Sequence, residues 1–527
     1  MSEKKKYIKY FSIIVLILII SAILFLIFRN KDYLGATSKG DLNTKVVTIE
    51  NNESTLYNSP AKERALSSKM TVTYGNMRKP IFLIPGLGGS SLEDIVDRPK
   101  GYINTFRPQF DKFCFHTQKT KESVWVNLQS AMVGPPRYCW MDRIKTNWNI
   151  KTKKLTNTPG VKTFTKGGII DGKYEGSAGI KYLNYMPIIG GTPTSDYFNS
   201  MITTLESIGY KDGDNLFGLP YDFRLILDSE IMNEYFMNIK NKFEEIRIKS
   251  GQRIVVLGHS LGCVLTNLFL SFQTQQWKDE HIDCFISIAG PYGGSSKALR
   301  TIISGETEGI PFESNRDMQL VEQNFAGLLW MLPMPEVYND TLLTKDGITA
   351  SKIPDLLLKL NMPEVEDEYR NLVTSDIRNR SIGDPGVKTH LLYGLGLETE
   401  NDGYLFYPAT DSNGNYGTQN STVNNKDGDG TVVDTALLYP VRNWKSVTPY
   451  EIPKGEHKEV LNSIRCVQKV VDILTREKIE SLCEDICPSC KFGWRGCNWN
   501  SDPGSDCNTK CKCNYDYNSF TCSKSLK

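Results

Sequence analysis

The spacing of hydrophobic positions along this chain changes several times, and each change predicts an element. From Phe11 to Phe28 apolar and small residues run for 18 positions without a charge. That is long enough for a helix to cross a bilayer and too long for the usual core of a cleaved signal. From 30 to 75 the chain is polar and shows no period. Beyond it, short unbroken apolar runs near 81–85, 253–258, 282–288, 389–394 and 447–452 predict buried strands. Apolar residues recur at helical spacing near 196–208, 231–249, 260–273 and 456–476. Strands alternating with helices predict an α/β fold, a mostly parallel sheet with helices on its faces. Two longer stretches, 93–180 and 295–375, interrupt the alternation and read as insertions.

One strand-to-helix junction carries chemistry. RIVVLGHSLGCVLTNLFL, residues 253–270, contains Gly-His-Ser-Leu-Gly. A Ser flanked by glycines two residues away on either side, between a strand and a helix, is the nucleophile elbow of an α/β-hydrolase. Gly258 and Gly262 are required because side chains there would collide with the neighbouring strand and helix. Ser260 is the candidate nucleophile. In this architecture the acid and then the base follow the serine in the chain. Of the five histidines, His116 and His259 precede Ser260, His281 leaves no room for an acid loop, and His390 opens the strand-like HLLYGLG. His457, in a loop before the last amphipathic helix, is the candidate base. For the acid, Asp427 and Asp429 in NNKDGDGTVV both fit the order. A calcium loop there would need a Glu at its twelfth position, and counting from Asn425 or Asp427 finds none. The Gly-rich loop after the first strand, within IFLIPGLGGSSLE, can bring backbone amides close to an oxyanion. The expected donors are the amides of Gly88 and Leu261. The loop lacks the Gly-Lys-Ser/Thr ending of a phosphate cradle. This chemistry calls for no metal and no cofactor.

At 527 residues and 40% hydrophobic content the chain can hold one large catalytic domain, read as 76–476, with appendages. Its 62 basic and 60 acidic residues leave a charge of +2, which does not indicate nucleic acid. Lys4, Lys5, Lys6 and Lys9 outnumber Arg29 and Lys31 around the first apolar run. Residues 1–10 are therefore expected in the cytosol, 11–28 as an uncleaved transmembrane anchor, 29–75 as a stem, and the rest in the lumen or outside the cell. This is a single-pass type II arrangement in the secretory pathway; the alternative is a secreted or lysosomal protein after signal cleavage. Eight of the 13 cysteines crowd into 483–522, so 477–527 reads as a small disulfide-rich module. Only Cys487 and Cys490 form a Cys-x-x-Cys pair, where a zinc ribbon needs two. Nothing in the module names a protein partner. Asn52, Asn339, Asn379 and Asn420 stand in glycosylation sequons.

Nine segments in order, IPGLGGSSLE, Cys114 to Cys139 with CWMD, PYDFRL, GHSLGC, QWKDEHIDCFISIAGPYGGS, SGETEGIP, LLYGLG, DGDGTV and GEHKEVL, resemble the lecithin:cholesterol acyltransferase family. That family includes lysosomal phospholipase A2 and the phospholipid:diacylglycerol acyltransferases. The resemblance, from Ile81 to about Leu474, implies Asp429 rather than Asp427 as the acid. It implies a membrane-binding cap in 93–180, closed by a Cys114–Cys139 disulfide, and a second cap and lid in 295–375. Trp125, Met132, Val133 and Trp140, in and beside that loop, are expected to meet lipid, and Cys263 to stay unpaired. The implied activity is that of a phospholipase A or O-acyltransferase. It would form an acyl-serine from a membrane phospholipid and pass the acyl group to water or to a sterol, ceramide or diacylglycerol hydroxyl. The sequence also departs from the family. Leu391 and Pro440 replace the cysteines of its second disulfide, Leu87 stands where the lysosomal enzyme has an aspartate, and a long polar loop, 401–430, precedes Asp429. A non-catalytic membrane-anchored protein binding through its cysteine-rich tail is the alternative.

Overall fold

The computed structural model describes residues 78–125, 136–183, 185–186, 192–193, 196–307, 314–406 and 424–474, and two strand pairs nearer the termini. Those pairs join Val46–Glu50 to Lys69–Thr73, within the expected stem, and Lys512–Asp516 to Ser519–Ser523, within the cysteine-rich stretch. The expected anchor, Met132, Val133, Asn52 and Asn420 lie outside the described residues. Among the described residues no helix is long and apolar enough to cross a membrane.

The centre is a six-stranded parallel sheet. Its strands are β1 (Ile81–Ile84), β2 (Leu216–Gly218), β3 (Ile254–His259), β4 (Ile282–Ile288), β5 (Thr389–Leu395) and β6 (Val447–Pro453), in the order β2-β1-β3-β4-β5-β6. β1, β3 and β4 are buried along their whole length, so their sequences are mostly apolar, interrupted by buried His259 in β3 and by Asp283 and Ser287 in β4. Alternate residues feed two different cores. Phe82, Ile84 and Val256 pack into one, while Ile81, Leu83, Val255 and Leu257 pack into the other. β6 lies at the edge, where Pro449 and Pro453 cost no interior ladder bond. The expected strands all lie in this sheet. β2, at the other edge, has no counterpart among them.

Helices α1 (Asn199–Ser207), α2 (Ser229–Ser250) and α3 (Leu261–Ser271) cover the sheet. Asp228 caps α2 by accepting from the amides of Glu230 and Ile231, and Gly251, at φ 67°, ends it. The last helix occupies 464–474 and begins later than its apolar spacing suggests, because Glu459–Asn462 forms a 3-10 turn first.

Two insertions interrupt the sheet. Between β1 and β2 lies a three-stranded antiparallel sheet with Leu92–Asp97 in the middle, flanked by Thr117–Trp125 and Val161–Thr165. The helix Pro136–Ile144 packs on it, and Cys139 of that helix is bonded to Cys114. Between β4 and β5 runs a series of short helices from Ser296–Ser304 to Ser375–Ile382. The insertions touch: Trp148 Nε1 donates to Asp367 and Thr146 Oγ1 to the Asn324 carbonyl.

Candidate active site

β3 is apolar to Leu257 and then meets Gly258, His259 and Ser260, where the backbone reverses into α3. Ser260 holds φ 52° and ψ −127°, a strained conformation for a residue with a side chain. The turn closes only because its flanks are bare. A Cβ at Gly262 would lie 2.4 Å from the Ile84 carbonyl oxygen, and one at Gly258 would lie 2.9 Å from Cys263 Cα.

His457 reaches the elbow from the loop after β6. Its Nε2 is 2.9 Å from Ser260 Oγ and its Nδ1 is 2.7 Å from Asp429 Oδ2. Asp429 is fully buried. Its other oxygen accepts from the amides of Thr431 and Val432, and its carbonyl accepts the His457 amide, so one turn fixes both the carboxylate and the imidazole-bearing backbone. Asp427 is exposed on a hairpin strand and accepts from the Gly396 amide. The structure thus brings Ser260, His457 and Asp429 together and leaves Asp427 aside. Of the other histidines, His116 pairs with Asp111, His281 stacks on Trp277, and His390 stacks on Tyr450 within the sheet.

The Gly-rich loop lies against the serine, and a Cβ at Gly86 would be 2.7 Å from Ser260 Cβ. Two of its amides are engaged: Gly86 N–H donates to Tyr197 Oη at 2.8 Å and Gly89 N–H to the Gly86 carbonyl. Those of Leu87 and Gly88 donate to no acceptor among the described residues, nor does that of Leu261 at the start of α3. The expected donors Gly88 and Leu261 are therefore unengaged beside the serine, with Leu87 a third amide that sequence reasoning does not single out.

A cavity of about 440 Å³ opens over these groups. Trp125, Leu183, Phe223, Phe325, Leu328, Met331 and Val432 form apolar wall, and Lys297, Glu322 and Lys458 supply charge. Such a space suits an acyl chain better than a polar substrate.

The expected lipid-facing tryptophans do not reach the surface. Trp125 and Trp140 are 7% and 2% exposed. Their indole N–H groups donate inward, Trp125 to the Gly88 carbonyl at 2.8 Å and Trp140 to the Val124 carbonyl. An indole buried with its N–H satisfied belongs to the core. The exposed apolar residues beside the Cys114–Cys139 bond are Ile103, Phe113 and Phe115, with Phe115 77% exposed. Cys263 is unpaired and buried, and burial pushes its thiol up to about 12. Asn339 and Asn379 are exposed.

Comparison with known proteins finds relatives along much of the chain. The lecithin:cholesterol acyltransferase family model matches residues 120–359. The phosphatidylcholine-sterol acyltransferase of Gallus gallus is 28% identical over 332 residues, covering 62% of this chain and 73% of the relative. The protein of that description from Homo sapiens is 27% identical over 415 residues, covering 77% and 85%. The lysosomal phospholipase A and acyltransferase of Homo sapiens is 28% identical over 393 residues, covering 72% and 87%. By these matches, and by the ordered segments that carry them, the chain is similar to the lecithin:cholesterol acyltransferase family, with residues 120–359 matching its model.

Proposed function

We propose that this protein is a serine-type lipid acyl hydrolase or acyltransferase that takes an acyl chain from a membrane glycerophospholipid. The single observation that carries the reading is the hydrogen-bonded line Ser260–His457–Asp429 at the floor of an apolar cavity. His457 Nε2 takes the proton from Ser260 Oγ as that oxygen attacks the ester carbonyl. Asp429 holds the imidazole with its Nδ1–H toward the carboxylate and stabilises the imidazolium that forms. The amides of Leu261 and Gly88 hold the oxyanion. Collapse breaks the ester bond, His457 returns the proton to the departing lysophospholipid oxygen, and an acyl-serine remains. Water, or the hydroxyl of a sterol, ceramide or diacylglycerol, then attacks the acyl-serine with the same base. The apolar walls favour a lipid acceptor by keeping water scarce.

The placement of the domain follows from its surroundings in the sequence. Residues 11–28 anchor the chain, with the catalytic domain 76–476 on the lumenal or outer side and 477–527 as an appended module. Ile103, Phe113 and Phe115, with Lys100, Lys112, Lys119 and Lys121 exposed around them, rest on the bilayer surface.

The test is label transfer. Phosphatidylcholine vesicles carrying a labelled acyl chain, with or without cholesterol, ceramide or diacylglycerol, are given to the full chain and to Ser260→Ala. Serine-dependent label in fatty acid alone identifies a phospholipase, and label in one acceptor identifies a transferase and its second substrate. No transfer by the wild type, or equal transfer by the variant, overturns the proposal.

A further inference from the structure

A second histidine stands at the site, directly before the nucleophile. Chain order excludes His259 as the base, yet it is 2% exposed and both of its ring nitrogens are engaged. Nδ1 lies 2.6 Å from Tyr197 Oη and Nε2 lies 2.9 Å from the main-chain carbonyl of His457. Tyr197, itself buried, receives the Gly86 amide on the same oxygen at 2.8 Å.

These contacts allow one arrangement of protons. A carbonyl can only accept, so His259 carries its proton on Nε2 and gives it to the His457 carbonyl. Nδ1 of the neutral ring must then accept. The Tyr197 oxygen has one proton, and since it accepts the Gly86 N–H it gives that proton to Nδ1. Every donor and acceptor in the line is matched. Burial, with His457 nearby, lowers His259 to about 3, which keeps the ring neutral at ordinary pH. Burial also pushes the Tyr197 phenol well above its ordinary range, so its proton stays in place.

The line joins three separate segments: the loop at Gly86, the elbow at His259 next to Ser260, and the backbone of His457. Resting on the catalytic reading of Ser260, we propose that Tyr197 and His259 are positioning residues that hold the oxyanion loop and the base in register with the nucleophile through this one relay. Neither is hydrogen-bonded to Ser260 Oγ or to a ring nitrogen of His457. Tyr197 sets the loop and the His259 tautomer, and His259 sets the His457 backbone. Small displacements among reacting groups cost rate far more than binding.

The test measures acyl release from labelled phosphatidylcholine vesicles by the full chain, as wild type, Ser260→Ala, Tyr197→Phe, His259→Gln and the double variant. Tyr235→Phe is the control, since the hydroxyl of this half-buried residue also bonds a carbonyl, that of Leu219, away from the cavity. Tyr197→Phe is expected to lower kcat by roughly 10- to 100-fold with KM within about twofold. Its melting temperature should match that of the control. His259→Gln should act in the same sense, and the double variant should be no slower than the slower single one, as for residues acting as a unit. If His259→Gln does not fold, Tyr197→Phe, which removes one oxygen, decides alone by its kcat and KM. A Tyr197→Phe kcat within about twofold of wild type, a change confined to KM, or losses that multiply in the double variant would overturn the inference while serine-dependent activity persists. Equal activity in wild type and Ser260→Ala overturns the catalytic reading and the inference with it.

Discussion

Asp427 and Asp429 stand two residues apart in one acidic run and do different work. Asp427 is exposed and anchors a hairpin through the Gly396 amide, whereas Asp429 is buried against His457. Asp429→Asn is expected to lower kcat by roughly 10³- to 10⁴-fold, because the amide favours the wrong imidazole tautomer. Asp427→Asn should stay within about threefold of wild type in the same acyl-release assay. Chain order leaves both open, since order says nothing about which carboxylate a turn carries inward. Trp125 is legible as important but not in its role: bulk and apolarity suggest a lipid surface, and only the fold shows the indole bonded to the Gly88 carbonyl. Trp125→Phe should lower kcat by about tenfold while leaving vesicle cosedimentation unchanged. His259 adds a dependence on pH. Its folded value is lowered to about 3, below the roughly 6.5 of an unfolded histidine, so the unfolded chain takes up the proton first as pH falls. Its contribution is complete above about pH 6.5 and is lost toward pH 3, at up to about 1.4 kcal/mol per pH unit. Urea denaturation across that window should show this slope in the wild type and a shallower one in His259→Gln.

Among the elements, those with a long apolar run or a clear helical period are readable. β1, β3 and β4 are buried on both faces, which leaves a mostly apolar run in place of an alternation. β2 escapes because Leu216–Gly218 is three residues long, too short for any period to appear. The last helix is expected too early because the apolar residues of a 3-10 turn imitate its first turn. Tyr197 and His259 are not legible as a pair for a related reason: they are 62 residues apart, and no local pattern links them. The Cys114–Cys139 bond ties the 3-10 turn Pro108–Phe113 to the helix Pro136–Ile144, across a separation of 25 residues. Replacing both cysteines by serine should lower the unfolding free energy by about 3 kcal/mol, read from the urea midpoint.

At the scale of the whole molecule, loops at the ends of sheet strands carry Ser260, Asp429 and His457, and the two insertions supply much of the cavity wall. Trp125 comes from the first, and Phe325, Leu328 and Met331 from the second. Phe113 and Phe115 are exposed on either side of Cys114, so Phe113→Asp with Phe115→Asp should weaken binding to phosphatidylcholine vesicles by about tenfold or more. Hydrolysis of a dispersed short-chain ester should be unchanged, which separates docking from chemistry. The hairpin before Asp429 has a different consequence. Its arms, Leu397–Asp402 and Asn424–Gly428, are paired to their far ends, where Asp402 faces Asn424. The turn that fixes the acid follows the hairpin, and Thr399 binds that turn by accepting the Gly430 amide. The chain thus leaves the hairpin at Asp402 and rejoins it at Asn424, two paired residues, and the length of chain between them adds only a slowly growing closure entropy. A change in the number of residues between Asp402 and Asn424 should therefore leave the Asp429 carboxylate where the turn holds it.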